Sequence, residues 1–319
     1  MTVKLACLCH GDDATRQWLP FCVTSDSSDM ADGLDNVTSM STIRVTTDDG
    51  LHIAAQDFGG SGSSALFVHA AGFCAPVLQP LARFPSGRWH SYAIDLRGHG
   101  ASDAPNTSLI DWNAFAVDVI SGVKQLGLDR PIGVGHSLGA VALLLAEATR
   151  PGSFSKLYCY EPPIYLEGEK RSQHVEDLIR RANQRRAVFD SRAQARERFQ
   201  SRPPLNVIDP EVLGLYVEHG FIECDNGTVR LACDPSFEAL IYASAPMKSG
   251  MHLEKITCDV TFAFGQNGPE EMKRRISILC NATTKGRLEG LQGLGHFGPM
   301  QNPQAIATSI IRSTEIATT

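Results

Sequence analysis

From residue 41 onward, short apolar strands alternate with apolar or amphipathic helices along the chain. The alternating stretches "STIRVTT" and "LHIAAQDFG" flank "DDG" and predict a β-hairpin. The continuous apolar run "SALFVHA" is typical of a strand that is covered on both faces. Further strands are predicted in "WHSYAIDLRG", "PIGVGH", "KLYCYEPP", "DVTFAFG" and "GRLEGLQG". With helical segments between them, they predict a mostly parallel sheet that helices cover on both faces and the hairpin extends at one edge.

The pattern changes between residues 163 and 251. Arginine-rich helices are predicted in "RSQHVEDLIRRANQRRAVF" and "SRAQARERF", a further helix in "PEVLGLYVEHGF", and a small hairpin in "DNGTVRLACD". We expect this segment to be a mainly helical cap over the carboxyl edge of the sheet, whose core comprises residues 41–162 and 252–319. Residues 1–40, rich in Ser, Asp and Thr, predict a polar, flexible N-terminal extension.

Composition narrows the classes of function. The 319 residues include 29 Lys and Arg against 35 Asp and Glu, a net charge of −6, which argues against nucleic acid as a partner because phosphate binding requires positive charge. Since no apolar run reaches the roughly 20 residues of a membrane helix, no membrane partner is expected. The nine cysteines have no regular spacing and favour a reducing compartment, with a cytoplasmic location as the expectation.

The motif with the clearest chemistry is Gly135-His136-Ser137-Leu138-Gly139, between a predicted strand and a predicted helix. A serine hydroxyl becomes a useful nucleophile only when a base lies within hydrogen-bond reach. A tight strand-to-helix turn presents the hydroxyl to substrate, and the two glycines allow strand and helix to approach closely. The N-terminus of the helix then points N–H groups at the site. We therefore predict Ser137 to be a nucleophile.

Four stretches in this order make the chain similar to the α/β-hydrolase superfamily: "LFVHAAGF", "AIDLRGHGASD", "VGHSLGA" and "LQGLGHFGPMQNP". The resemblance extends from Ser41 to the last helix. It implies an α/β-hydrolase fold with the cap inserted after the sixth strand, and it implies no metal and no organic cofactor. It also places the catalytic histidine in the last stretch, at His296. His69 and His99 are the rival histidines, and His136 is expected to pack around the turn.

The resemblance leaves the third catalytic group uncertain. Most members carry an Asp after the seventh strand, three residues past a glycine, and that position is Gly268 here. Some members carry the acid after the sixth strand, where this chain has Glu161 between an apolar strand and two prolines. A buried Glu without a partner is costly, so we predict Glu161 to be the acid. The alternatives are Glu270 or Glu271, although acidic residues are common in the first turn of any helix.

An oxyanion hole needs two N–H donors. We predict the N–H groups of Leu138 and Phe73, with Ala70 or Ala71 as alternatives to Phe73 because the loop "HAAGFC" has extra residues. In the predicted cap, each of two sets of residues has two possible roles. The first set either forms a solvated helix face or attracts an anionic ligand group, and comprises Arg180, Arg181, Arg185 and Arg186. The second set either forms the cap core or lines an apolar pocket, and comprises Phe189, Phe199, Tyr216, Phe221 and Tyr242.

Together these residues predict a serine hydrolase that cleaves an ester, lactone or thioester of a small organic molecule through an acyl-enzyme. Hydrolysis of a carbon–carbon bond in a diketone would use the same residues. The absence of an Asp at Gly268 leaves a third hypothesis open, a ligand-binding, receptor-like member of the fold with little or no turnover.

Overall fold

In the computed structural model, which describes residues 41–84, 87–166, 173–246 and 251–315, the strands form two sheets. The strands are β1 (Ser41–Thr46), β2 (His52–Gly60), β3 (Ser63–Val68), β4 (Trp89–Ile94), β5 (Ile132–His136), β6 (Lys156–Tyr160), β7 (Val188–Phe189), β8 (Phe221–Glu223), β9 (Val229–Leu231), β10 (Asp259–Gly265) and β11 (Gly286–Leu291). The N-terminal extension predicted at residues 1–40 lies outside the described residues.

The large sheet has eight strands in the order β1-β2-β4-β3-β5-β6-β10-β11. β1 and β2 form the predicted antiparallel hairpin, and β2 pairs antiparallel with β4. All remaining pairs in this sheet are parallel. The carboxyl ends of β5, β6 and β10 therefore lie side by side, at the edge where open α/β sheets bind their ligands.

Helices cover both faces of the large sheet. The helices of the described residues are α1 (Gln79–Arg83), α2 (Asn113–Gln125), α3 (Leu138–Thr149), α4 (Gln173–Asn183), α5 (Arg192–Ser201), α6 (Pro210–His219), α7 (Pro235–Ala243), α8 (Glu270–Asn281), α9 (Gly298–Gln301) and α10 (Pro303–Glu315). Side chains alternate across β3, so Leu66 and Val68 pack with α2, α3 and α8. Phe67 faces the opposite cluster, with α1 and α10. None of the helices in the described residues is long and apolar enough to cross a bilayer.

The inserted segment contains α4 to α7 and a three-stranded antiparallel sheet, β7-β9-β8. The first arginine-rich helix is shorter than predicted, because it ends at Asn183 and residues 188–189 pair with β9 instead. Burial explains the difference, since the Phe189 ring is 1% exposed and packs against Phe199 and Phe221. Of the five aromatic residues that the sequence places in the cap core or in a pocket, four are buried: Phe189, Phe199, Tyr216 and Phe221. The domain boundaries at 163 and 251 stay predictions.

Candidate active site

Ser137 occupies the turn between β5 and α3 in a strained conformation, with φ 53° and ψ −115°. A positive φ is uncommon outside glycine, and strained residues of this kind cluster at active sites. Its N–H donates to the carbonyl oxygen of Tyr160 at 2.8 Å, which ties the turn to β6. A Cβ at Gly135 would lie 2.6 Å from the backbone nitrogen of Ala140. The close strand-to-helix approach that the sequence predicts is therefore present.

His296 lies in the loop between β11 and α9, with its side chain 39% exposed. Its Nδ1–H donates to Oε2 of Glu161 at 2.7 Å. In a neutral imidazole this bond fixes the proton on Nδ1 and leaves Nε2 free to accept one. The structure thus brings together two of the three residues that the sequence predicts for a catalytic triad.

Glu161 follows β6 directly and has φ 46°, a second positive value outside glycine. Its N–H donates to the carbonyl oxygen of Ala263, and its Oε1 accepts the N–H of Gly265, both at 2.9 Å. Both partners belong to β10. The side chain is 1% exposed, and a buried carboxylate requires such partners. Oε2 is thereby left to face the imidazole.

The alternative acids lie elsewhere. Glu270 is 86% exposed at its side chain and pairs with Lys273 at 2.5 Å. Glu271 pairs with Arg275 at 2.6 Å on the same helix, α8. Both are first-turn acidic residues, where the helix dipole favours them. The structure therefore does not support either as the partner of His296.

The N–H groups of the loop after β3 only partly match the predicted oxyanion hole. The Phe73 N–H donates to the carbonyl oxygen of Ala70 at 3.2 Å, and the Gly72 N–H donates to Nε2 of His99 at 3.0 Å. In the described part of the chain, the N–H groups of Ala71 and Leu138 have no protein acceptor. Because an oxyanion donor must be unoccupied, the geometry disfavours Phe73, favours Ala71, and leaves Leu138 suited to its predicted role.

The rival histidines support loops. His69 donates from Nδ1 to the carbonyl oxygen of Ala70 and accepts the N–H of Leu96 at Nε2. His99 donates from Nδ1 to the carbonyl oxygen of Arg97. Burial lowers the pKa of His69 to about 3 and that of His99 to about 4, so both are neutral near pH 7. With both ring nitrogens bonded, neither can act as a base.

The four arginines of the cationic run in the inserted segment do not all lie on a solvated helix face. Arg180 is exposed and pairs with Asp177. Arg185 is instead enclosed, donating to Glu238 at 2.8 Å and to the Tyr216 hydroxyl at 2.6 Å. A Cβ at Gly72 would lie 2.8 Å from Oε1 of Glu238. The ion pair therefore covers the turn of the loop after β3, and its charges cancel.

Two side chains with no predicted part in catalysis also contact the histidine loop: His136, which is expected to pack around the turn, and Tyr160, which the sequence does not single out. His136 donates from Nε2 to the carbonyl oxygen of His296 at 2.8 Å, and the Tyr160 hydroxyl donates to that of Gly295 at 2.7 Å. The only signal for them in the sequence is their position, because each immediately precedes a predicted catalytic residue.

A largely parallel sheet with a strained serine at one strand end and a histidine–carboxylate pair beside it defines a protein of the hydrolase type. A family model described as "Alpha/beta hydrolase family" matches residues 65–309, more than half of the chain. The chain belongs to this family.

Among curated relatives, the 2-(acetamidomethylene)succinate hydrolase of Mesorhizobium japonicum is 30% identical over 173 residues, which cover 54% of this chain and 60% of that protein. The non-heme chloroperoxidase of Streptomyces lividans is 34% identical over 131 residues, 39% of this chain and 47% of that protein. These matches span less than two thirds of either relative. A crystal structure of E-2-(acetamidomethylene)succinate hydrolase superposes with a TM-score of 0.75 at 22% identity, covering 87% of this chain and 100% of that one, a likeness of fold.

Proposed function

We propose that the protein is a serine hydrolase that cleaves an ester, lactone or thioester of a small organic molecule through a covalent acyl-enzyme. The observation that carries this proposal is the 2.7 Å bond from Nδ1 of His296 to Glu161, beside the strained turn at Ser137. The ring centroid of His136, the neighbour of Ser137, lies 5.1 Å from that of His296. Imidazole and serine thus share one edge of the sheet.

The roles follow from the bonds. Glu161 holds the imidazole in the tautomer with its proton on Nδ1, so Nε2 accepts the Ser137 proton as Oγ attacks the substrate carbonyl carbon. The negative charge that forms on the carbonyl oxygen is stabilised by backbone N–H groups, of which those of Leu138 and Ala71 have no competing acceptor among the described residues. His296 then returns the proton to the leaving group. Water, activated by the same imidazole, hydrolyses the acyl-enzyme.

The hypothesis of a receptor without turnover rested on the missing acid at Gly268. A Cβ at Gly268 would lie 3.4 Å from Oε1 of Glu161, so a carboxylate occupies the space that an acidic side chain at 268 would enter. The absence of an acid at 268 therefore no longer argues for a receptor-like protein, and the bonded pair of His296 and Glu161 favours an enzyme. The names of the two relatives share no substrate, so the choice of ester, lactone or thioester rests on the site alone.

The test is labelling with a fluorophosphonate, together with hydrolysis of p-nitrophenyl esters of increasing acyl-chain length. We expect one label per chain on Ser137, and no label in Ser137→Ala or His296→Ala. Diketones assayed in parallel distinguish cleavage of a carbon–carbon bond from cleavage of an ester. A wild-type protein that resists the label and leaves every ester and diketone intact would overturn the proposal.

A further inference from the structure

The loop that carries His296 is tied to the sheet by two side chains on adjacent strands. Nε2–H of His136, the last residue of β5, donates to the carbonyl oxygen of His296 at 2.8 Å. The hydroxyl of Tyr160, the last residue of β6, donates to the carbonyl oxygen of Gly295 at 2.7 Å. Two consecutive carbonyls of the loop thus each have a side-chain donor from the sheet.

The strand register brings these two donors together. His136 and Tyr160 are opposite each other in the parallel pairing of β5 with β6, and their rings meet edge to face with centroids 5.7 Å apart. His136 immediately precedes Ser137, and Tyr160 immediately precedes Glu161. The strand ends that present the nucleophile and the acid therefore also hold the backbone that presents the base.

Both donors keep the proton that they donate at neutral pH. His136 is 2% exposed, and burial together with the neighbouring His296 lowers its pKa far below the ordinary value. A carbonyl can only accept, so the neutral ring carries its proton on Nε2. Burial and the adjacent Glu161 carboxylate raise the pKa of Tyr160, which keeps the hydroxyl protonated. Neither bond is lost through titration near neutral pH.

The Tyr160 hydroxyl also packs closely against the backbone at the end of the histidine loop. A Cβ at Gly298, the first residue of α9, would collide with the Tyr160 hydroxyl oxygen, so the end of the loop approaches the ring at a position where only glycine leaves room. The N–H of Gly295 has a long bond of 3.4 Å to the side chain of Gln301, the last residue of α9. The short bonds that link residues 295 and 296 to the sheet through their carbonyls are those of His136 and Tyr160.

We propose that His136 and Tyr160 are positioning residues for catalysis, which hold the His296 backbone so that its imidazole lies between Ser137 and Glu161. The inference rests on the proposed serine-hydrolase function. Reacting groups tolerate little displacement, and a shift of about 1 Å lowers a rate by on the order of 10²-fold. Loss of either donor lets the loop and its His296 imidazole move, while the strands that carry Ser137 and Glu161 stay in place.

The tyrosine half of the proposal has a matched control. Tyr160→Phe removes one hydroxyl bond to the histidine loop, whereas Tyr158→Phe, on the same strand, removes one buried hydroxyl bond to Ser309 on α10. We expect Tyr160→Phe to lower kcat and the rate of fluorophosphonate labelling by about 10²-fold, with KM nearly unchanged. Tyr158→Phe should label and turn over like the wild type.

The histidine half is tested by rescue. His136→Phe keeps a ring of similar size and removes the donor, whereas His136→Gln restores an N–H near the position of Nε2. We expect the Phe variant to lose activity by about the same factor of 10² and the Gln variant to recover most of it. If Tyr160→Phe and His136→Phe label as fast as the wild type, or if each matches its control, the positioning role is wrong.

An NMR measurement keeps this inference separate from the proposed function. The Nδ1–H of His296, bonded to Glu161 at 2.7 Å, should give a downfield proton resonance that Glu161→Gln abolishes. We expect the resonance to shift or broaden in Tyr160→Phe and His136→Phe and to persist in Tyr158→Phe and His136→Gln, even if the protein turns over no substrate. An unchanged resonance in all four variants would overturn the inference and leave the hydrolase proposal standing.

Discussion

The ends of β6 and β10 lie side by side and differ in which of them is followed by a carboxylate. Glu161 directly follows β6, and the turn after β10 has glycine at 268, where the family resemblance predicts an acid. The two positions meet in space, because a Cβ at Gly268 would lie 3.4 Å from Oε1 of Glu161. A side chain at 268 would therefore point toward the space that the Glu161 carboxylate fills beside His296.

The two ends differ in how the backbone supports that carboxylate. Glu161 adopts φ 46°, a conformation that costs on the order of 1–3 kcal/mol outside glycine. β10 compensates, because its Ala263 carbonyl accepts the Glu161 N–H and its Gly265 N–H donates to Oε1. The strand end that lacks the acid therefore anchors the strand end that has it.

The largest effect is expected at Glu161. Glu161→Gln keeps the shape but turns the acceptor for Nδ1–H into an amide that can donate and select the wrong tautomer, so kcat should fall by about 10⁴-fold. Glu270→Gln is the control, since this side chain is exposed and pairs with Lys273, and its rates should match the wild type. Steady-state kinetics on a p-nitrophenyl ester measures both. The reverse ranking would reject Glu161 as the acid.

Another buried carboxylate, Asp118, is expected to contribute to stability and not to catalysis. Asp118 is fully buried on α2 and accepts bonds from the backbone, Nε and Nη2 of Arg97. Asp118→Asn leaves the buried Arg97 guanidinium with only the half-exposed Asp49 as a counter-charge and should lower the free energy of unfolding by about 3 kcal/mol. The folded protein should retain its rate of fluorophosphonate labelling.

Urea unfolding of Asp118→Asn and Glu161→Gln in parallel checks this contrast. Asp118→Asn should shift the unfolding midpoint strongly, and Glu161→Gln should mainly change the rate. If Asp118→Asn abolishes labelling of protein that is fully folded, then α2 has a part in the site that the geometry does not indicate.

The acid can be moved to test the comparison itself. Glu161→Ala removes the carboxylate and frees its space, and Gly268→Asp in the same chain directs a new carboxylate into that space. We expect the double variant to regain activity over Glu161→Ala while staying about 10²-fold below the wild type, because the new geometry is displaced by part of an ångström or more. Labelling rates of the three proteins measure the rescue. A double variant no faster than Glu161→Ala would show that the two strand ends are not interchangeable.

Much of the fold was predictable because strands buried on both faces leave a strong local pattern. The sheet, its edge hairpin and the turn at Ser137 follow from apolar runs and glycine spacing, and the family match confirms the fold class. The end of α4 and strand β7 were not predictable, because the pairing of Val188 with Arg230 is a contact between distant residues.

The candidate site, like the fold, was predictable only where the sequence carries a local pattern. The carboxylate at residue 161 stood out as a charge after an apolar strand, and its bond to His296 matches that expectation. The Phe73 N–H could not be recognised as occupied, because its bond to Ala70 depends on how the extra residues of the loop turn. His136 and Tyr160 donate to carbonyls more than 100 positions away, and no local pattern reports such bonds.

The smallest expected effect concerns His136, a neutral side chain that contacts the His296 loop, whereas Glu161 contacts the His296 ring with a charge. The effect is on how stability changes with pH. His136 is buried with a pKa far below the usual value, whereas in the unfolded chain it takes up a proton below pH 6.5. The unfolded state therefore binds more protons, and stability falls as the pH drops below 6.5. His69 and His99, with pKa values of about 3 and 4, act in the same direction.

Asp95 opposes this trend, because burial raises its pKa from 3.8 to about 6, so its contribution to stability is lost as the pH rises through that range. Burial also lowers the pKa of His219 and raises that of Asp118. The four histidines outweigh the two carboxylates, and the free energy of unfolding should rise between pH 4.5 and 6.5 in the wild type, roughly the range set by these values. His136→Gln removes one titrating group and should reduce that slope by up to about 1.4 kcal/mol per pH unit. Urea unfolding at several pH values measures both slopes. Equal slopes in the wild type and in His136→Gln would mean that His136 binds protons alike in the folded and unfolded states. That outcome would contradict the buried, neutral state of His136.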